Sequence, residues 1–255
     1  MLLSVGRQGF KVGLAQVPIV MGDKRANVAA LLEAVHRAGR ARCDAVVLPE
    51  CALAGWLSPL ARTAAEPIPG AFTRRLAALA RRYRMAVAAG LEERDGDRLY
   101  NAAVLVDRSG RLVLRHRKIN ELPVGLEVYT RGSSLGVVDL DGLKVGLNIC
   151  ADSWTAEVVD ALYLMGARLV LSPCAWAVEP DGEETNLQWI AGCYQARTAG
   201  RELFIASANG VGEVTQGPWK GRILQGNSLV TGPDGRRVAT LARSQPSFLA
   251  VTLPV

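Results

Sequence analysis

The chain has 255 residues, 49% of them hydrophobic, with 30 Lys and Arg against 24 Asp and Glu for a formal charge of +6. This content supports a sizeable core and excludes a disordered chain, and the absence of any apolar run of about eighteen residues argues against a membrane span. The positive excess is scattered without a recognition motif, so it reads as a solvated basic surface and not as a nucleic-acid footprint.

The opening ten residues include Arg7 and Gln8 and lack the apolar stretch of a signal peptide. Five cysteines, an odd number without a C-x-x-C pair, suit reduced thiols better than a disulfide framework or zinc knuckle. Together these features predict a cytoplasmic protein.

In chain order, periodicity predicts a strand over 12–17 and a helix from about Asp23, where Val28, Leu31, Leu32 and Val35 recur at helical spacing. A strand over 45–48 follows, then an amphipathic helix carrying Phe72, Leu76, Leu79 and Tyr83, then a strand over 86–91. A hairpin pairs 102–106 with 112–117 across the Ser109-Gly110 turn. The second half repeats this order, with strand 145–149, helix 155–165, strand 169–172, helix 187–199 and strand 203–207. A hairpin of 228–230 with 237–241 closes it across Pro233-Asp234-Gly235.

Two β-α-β-α-β-β-β units, each with helices for one face of its sheet, leave two bare sheet faces that can pack together. The expected fold is an α/β four-layer α-β-β-α sandwich, formed as a single domain over 1–255 because no Pro/Gly-rich linker parts the halves. An open doubly wound sheet is the alternative, and it fits the terminal hairpins less well.

The chemistry-bearing residues gather at strand exits. With only two histidines, His36 and His116, and no G-x-S-x-G, H-E-x-x-H, P-loop or G-x-G-x-x-G motif, serine hydrolase, metalloprotease, NTPase and dinucleotide readings lose support. His36 reads as a surface residue, and His116 as at most a supporting group. Glu50 follows Ala45-Val46-Val47-Leu48-Pro49, Lys118 ends the strand of His116-Arg117, and Cys150 ends the strand of Val145-Gly146-Leu147-Asn148-Ile149. A carboxylate, an ammonium and a thiol so placed can converge on one pocket. Cys150 also precedes a helical pattern, whose N-terminus is expected to favour the thiolate and to make this cysteine reactive near neutral pH.

These residues sit within an ordered series of landmarks. The series comprises Gly22-Asp23 with Asn27, Leu48-Pro49-Glu50, Tyr100-Asn101-Ala102-Ala103, Arg117-Lys118-Ile119 and Gly146-Leu147-Asn148-Ile149-Cys150-Ala151-Asp152. It continues with Ser172-Pro173-Cys174-Ala175-Trp176, Ala208-Asn209-Gly210-Val211-Gly212 and Gly226-Asn227-Ser228. In this the chain resembles the nitrilase superfamily of carbon–nitrogen hydrolases. The resemblance implies the four-layer sandwich, usually paired into homodimers or larger homo-oligomers, and a Glu-Lys-Cys triad falling on Glu50, Lys118 and Cys150. It also implies a second glutamate between lysine and cysteine, for which Glu127, ahead of Tyr129 and Gly132, is the matching position and Glu121 the weaker candidate.

In that arrangement Cys150 attacks an amide carbonyl, Glu50 is the general base, and Lys118 with the Ala151 backbone N–H holds the oxyanion. Glu127 would orient Lys118 and the substrate, and no metal or organic cofactor is called for. Trp56, Trp154 and Trp176 near the strand exits, together with Tyr129, are candidates to line the substrate pocket, although buried packing is an equal reading for the tryptophans. Cys174 reads as a pocket wall and Cys51 as packed beneath the site. Because Cys150 is followed by Ala151-Asp152 and not Trp-Glu, amides are favoured over nitriles. The leading expectation is an amidase releasing ammonia from a small carboxamide, ω-amides included. The alternatives are an N-carbamoyl amino acid or amine hydrolase, a nitrilase, and a non-catalytic basic binding protein on the same scaffold.

Overall fold

The computed structural model describes residues 9–255, so Arg7 and Gln8, and with them most of the signal-peptide reading, lie outside the described residues. The first half runs β1 (Phe10–Gln16), α1 (Lys24–Arg40), β2 (Ala45–Val47), a short α2 (Ala61–Ala64), α3 (Ala71–Tyr83), β3 (Ala86–Asp95), β4 (Arg98–Val106) and β5 (Leu112–Arg117). The second half runs β6 (Val137–Leu140), β7 (Leu143–Leu147), α4 (Ala156–Leu164), β8 (Leu169–Cys174), β9 (Ala177–Val178), α5 (Glu183–Thr198) and β10 (Phe204–Asn209). It ends with β11 (Val211–Glu213), β12 (Ile223–Gln225), β13 (Leu229–Thr231), β14 (Arg237–Thr240) and β15 (Ser247–Leu253).

The two halves build matching sheets. The first has the order β15-β1-β2-β3-β4-β5 and the second β14-β13-β10-β8-β7-β6, with a small third sheet β11-β12-β9 beside them. In each large sheet three parallel strands, β1-β2-β3 or β7-β8-β10, are followed by two antiparallel ones and flanked by an antiparallel edge strand. Those edge strands, β6 and β15, are absent from the sequence-based expectation. The final hairpin of the chain was expected to close the fold, yet β15 returns to pair with β1 along its whole length.

Strand alternation divides the core between two layers of packing. Val46, Val87 and Val104 face α1 and α3, meeting Leu31, Val35 and Leu76. Their neighbours Val47, Ala88 and Leu105 face the second sheet and join a cluster with Leu147, Leu171 and Ile205, which continues to Val159, Leu162 and Tyr194 of α4 and α5. This is the four-layer helix-sheet-sheet-helix arrangement. Local signals fix the helix entries as well: Asp23 caps α1 by accepting from Ala26 N at 2.9 Å, a contact of about 1 kcal/mol.

β3 and β4 extend beyond the expected strands because Glu92-Glu93-Arg94-Asp95 looks too polar for a sheet. Both glutamates are buried with partners. Glu93 is paired with Arg115 and Arg117, and Glu92 accepts from Leu53 N at 3.1 Å and Ala54 N at 3.0 Å. Burial lifts the Glu92 carboxyl to about 7, against the pull of those backbone N–H groups. Glu92 thereby holds the loop that leaves β2 through Glu50.

The same loop crosses directly over β3 at Gly90, whose N–H donates to Pro49 O at 3.0 Å. A Cβ at this position would lie 2.6 Å from Pro49 O and against the Glu50 Cα. Gly90→Ala is therefore expected to cost about 1–3 kcal/mol of stability by overpacking and to lower turnover by shifting Glu50. Thermal unfolding and ammonia-release rates of the variant check this, and an unchanged melting temperature and rate would show that the loop is free to move.

Candidate active site

Two strand exits carry the site, and each turns through a left-handed residue that is not glycine. Cys51, next to Glu50, has φ 44°, and Cys150 has φ 47°. Such conformations cost on the order of 1–3 kcal/mol and persist where the surroundings enforce them. The exit carrying Glu50 is tied to the end of β8, the strand beside β7, since Glu50 N donates to Cys174 O at 3.2 Å.

Glu50, Lys118 and Cys150 line one cavity of about 720 Å³. Glu50 Oε1 receives Lys118 Nζ at 2.7 Å and Asn101 Nδ2 at 2.7 Å. Asn101 Nδ2 also donates to Glu121 Oε2 at 3.0 Å, and Lys118 Nζ lies 3.3 Å from Glu121 Oε1. All four side chains are buried. Burial by itself would lower the Lys118 ammonium, but the two carboxylates outweigh it and hold its pKa well above the ordinary lysine value. Glu121 is shifted upward by burial and by Glu50, with Lys118 opposing.

The second glutamate of this cluster is thus Glu121 and not Glu127. Glu127 lies in the 3-10 turn Gly125–Glu127 with its side chain exposed, away from the cavity lining. Spacing to the aromatic and glycine singled out Glu127, but the turn directs it outward. Glu121, three residues beyond Lys118, is folded inward.

Tyr129 is also removed from the pocket: it is buried beneath the loop after Glu50, where its hydroxyl accepts from Leu57 N at 3.3 Å and contacts Cys51. Cys174 is not a wall but sits behind it, fully buried with its thiol 3.3 Å from the Tyr194 hydroxyl. Cys51 is fully buried under Glu50. His36 is half-buried on α1, its Nδ1 2.7 Å from the Tyr83 hydroxyl.

The sequence predicts a helix from Thr155, where α4 does begin within one residue, with its N-terminus expected to act on Cys150. Instead a single 3-10 turn, Cys150–Ser153, intervenes before α4 begins at Ala156, so little helix dipole reaches the thiol. Burial, the neighbouring Cys174 thiol and the Glu50 carboxylate raise the Cys150 pKa well above the ordinary thiol value, with only Lys118 opposing. This direction favours the neutral Cys150 thiol, against the thiolate expected from the sequence.

Asp152 locks this turn to the lysine. Its Oδ1 accepts from Ile119 N at 3.1 Å and Asn120 N at 2.7 Å, while Oδ2 accepts from Ile149 N at 3.0 Å and lies 2.7 Å from His116 Nε2. Asn120 Nδ2 adds a bond to Ala151 O at 2.6 Å. The segment after Lys118 and the segment around Cys150 are thereby held as one unit. Asn101 and Asp152 both stand in the sequence landmarks, yet nothing in their spacing reveals that they join these segments.

Ala151, Trp56, Trp154 and Trp176 line the cavity, as do Trp189 and Trp219, which the sequence reading missed because neither stands at a strand exit. No group of His, Cys, Asp or Glu among the described residues is arranged to hold a metal ion. No helix among them is long and apolar enough to cross a membrane.

The family model for carbon-nitrogen hydrolases matches residues 11–254. The chain belongs to the carbon–nitrogen hydrolase family. It is 26% identical over 260 residues to the chloroplastic omega-amidase of Arabidopsis thaliana, covering 94% of this chain and 67% of that protein. It is 30% identical over 242 residues to a protein of Pseudomonas protegens named "Hydrolase in pqqF 5'region", covering 92% of this chain and 79% of that one. An amidase of the nitrilase superfamily from Nesterenkonia AN1 superposes with a TM-score of 0.84 at 25% identity, covering 98% of this chain and 93% of that chain. The chain is therefore a carbon–nitrogen hydrolase on the nitrilase-like four-layer fold, as the resemblance implied.

Two outcomes are expected from the geometry. Iodoacetamide labelling of Cys150 should climb with pH up to and past 9, because the thiolate forms only above the raised pKa; a plateau at or below pH 7 would reveal a thiolate at rest. Glu121→Gln should lower kcat by about 10²-fold while Glu127→Ala leaves it within about twofold, and steady-state kinetics showing the reverse would return the supporting role to Glu127.

Proposed function

We propose that the enzyme hydrolyses primary carboxamides through a Cys150 thioester, with Glu50 as general base and Lys118 as oxyanion donor. The observation that carries this reading is the buried Glu50–Lys118 pair, 2.7 Å apart, opening onto the cavity that also holds Cys150. Both bonds on Glu50 fall on Oε1, so Oε2 is the oxygen available to take the thiol proton as Sγ adds to the amide carbonyl. A neutral resting thiol suits such concerted transfer, since the proton is present to be passed on to the departing amine.

Lys118 stays an ammonium throughout, because Glu50 and Glu121 stabilise it, and with the Ala151 N–H it would receive the developing negative oxygen. Ammonia leaves, and water deprotonated by Glu50 attacks the thioester to release the carboxylic acid. Glu121 and Asn101 hold Glu50 and Lys118 in register, and Asp152 keeps Lys118 aligned on Cys150. The omega-amidase name of a relative supports amides over nitriles. Five free cysteines support a reducing intracellular location, and the exposed Leu164 and Met165 at the end of α4 support pairing of like chains.

Ammonia release from a panel of primary amides, N-carbamoyl amino acids and nitriles tests the reading. Release from the amides should fall by at least about 10³-fold in both Cys150→Ala and Lys118→Ala, with circular dichroism unchanged. Ammonia accompanied by carbon dioxide, from the carbamoyl compounds alone, would replace the amide with an N-carbamoyl substrate, and full activity in Cys150→Ala would remove the thioester.

A further inference from the structure

All five tryptophans of the chain, Trp56, Trp154, Trp176, Trp189 and Trp219, lie on the cavity that holds Cys150. Aromatic residues make up only 5% of this sequence, and the core elsewhere is built mainly from Leu, Val and Ala, so the concentration belongs to the cavity and not to general packing. Trp56 meets Trp219 edge-on at 4.6 Å between ring centroids, Trp154 meets Trp189 at 4.7 Å, and Trp176 rests on Tyr194 at 5.8 Å. The indole N–H groups of Trp56, Trp154 and Trp176 are buried without a partner among the described residues, so these walls offer ring carbon to whatever occupies the space.

The charges around the cavity are already matched. Its two lining cations are Lys118, held by Glu50 and Glu121, and Arg222, whose Nε lies 2.8 Å from Glu179 Oε1 and whose guanidinium lies 4.0 Å over Trp219. At the rim, exposed Glu179 and Asp181 contribute negative charge. A carboxylate on the substrate would meet the repulsion of these acids, and the cation nearest them, Arg222, already carries Glu179 on its Nε. A volume of about 720 Å³ is also far larger than a two- or three-carbon acyl chain needs, and falls in the range of sites that enclose ligands of several rings.

Resting on the amidase reading of this site, we propose that its substrate is a carboxamide whose acyl group is bulky, flat and free of carboxylate, of the arylalkanoic amide class. Hydrolysis of such an amide with one water gives the arylalkanoic acid and ammonia by the steps given above. The tryptophan walls select the acyl group through burial of its ring, and the acidic rim turns away the ω-carboxylate of dicarboxylic monoamides.

Calorimetric titration of the Cys150→Ala variant with 3-phenylpropionamide, propionamide and succinamate tests this without requiring turnover. The aryl amide should bind at least about tenfold more tightly than either of the others, the effect expected from burying one phenyl ring. In the otherwise wild-type enzyme, Trp189→Ala should reduce kcat/KM for 3-phenylpropionamide at least about tenfold more than for propionamide. Equal or tighter binding of propionamide or succinamate, or a Trp189→Ala variant that slows both amides alike, would overturn the proposal. If the aryl amide binds preferentially but wild-type enzyme releases ammonia from none of the three, the amidase reading fails while the assignment of the pocket to a flat uncharged group stands.

Discussion

The buried contact between Lys118 and Glu50, 2.7 Å long, is the interaction on which the rest of the arrangement depends. Removing an ammonium and a carboxylate from water costs several kcal/mol each, and their mutual attraction repays that cost only if every remaining donor and acceptor finds a partner. Glu121 and Asn101 supply those partners. The outcome is a cluster of two carboxylates and one ammonium, whose surplus negative charge keeps lysine protonated and helps keep the adjacent thiol neutral. Burial first, and then the neighbouring Cys174 and Glu50, push the Cys150 thiol upward, with little contribution from a helix dipole.

The fold exists around this cluster in a specific way. Two sheets of matching topology pack through their small-residue faces, with Ala88 and Ala103 of one joining Ala206 and Ala208 of the other in a shared core. Such packing brings the exit of β2 against the exit of β8, where Glu50 N meets Cys174 O. Left-handed residues then turn both Glu50 and Cys150 away from their strands. Asp152 completes the assembly by joining the end of β5 to the turn after β7 through three backbone N–H bonds and His116. Each of these links is short-ranged, but together they transmit the rigidity of two sheets to three side chains.

Much of the framework was legible in the residues. The paired β-α-β-α-β-β-β order followed from hydrophobic period, and Glu50, Lys118 and Cys150 were found at strand exits because each ends an apolar run. Where the reading failed, polar residues had disguised their environment. Glu92 and Glu93 lie beyond the expected strand yet are buried in β3 with partners, while Glu127 read as a site residue but faces solvent. Trp189 and Trp219 carried no signal because they come to the cavity from α5 and from the loop between β11 and β12.

By itself, then, the sequence determined the order of strands and helices, the two-sheet architecture and the placement of Glu50, Lys118 and Cys150 at strand exits, since local burial leaves its period in the residues. Only the tertiary structure decided which glutamate joins the lysine, that burial pushes the Cys150 thiol upward, and that five tryptophans share one cavity with the cysteine. The physical reason is that these features depend on contacts between distant segments, as between Lys118 and Glu50 at a separation of 68 positions, and on the exclusion of water that packing alone creates. No periodicity along a chain records which side chains the layers will bring together.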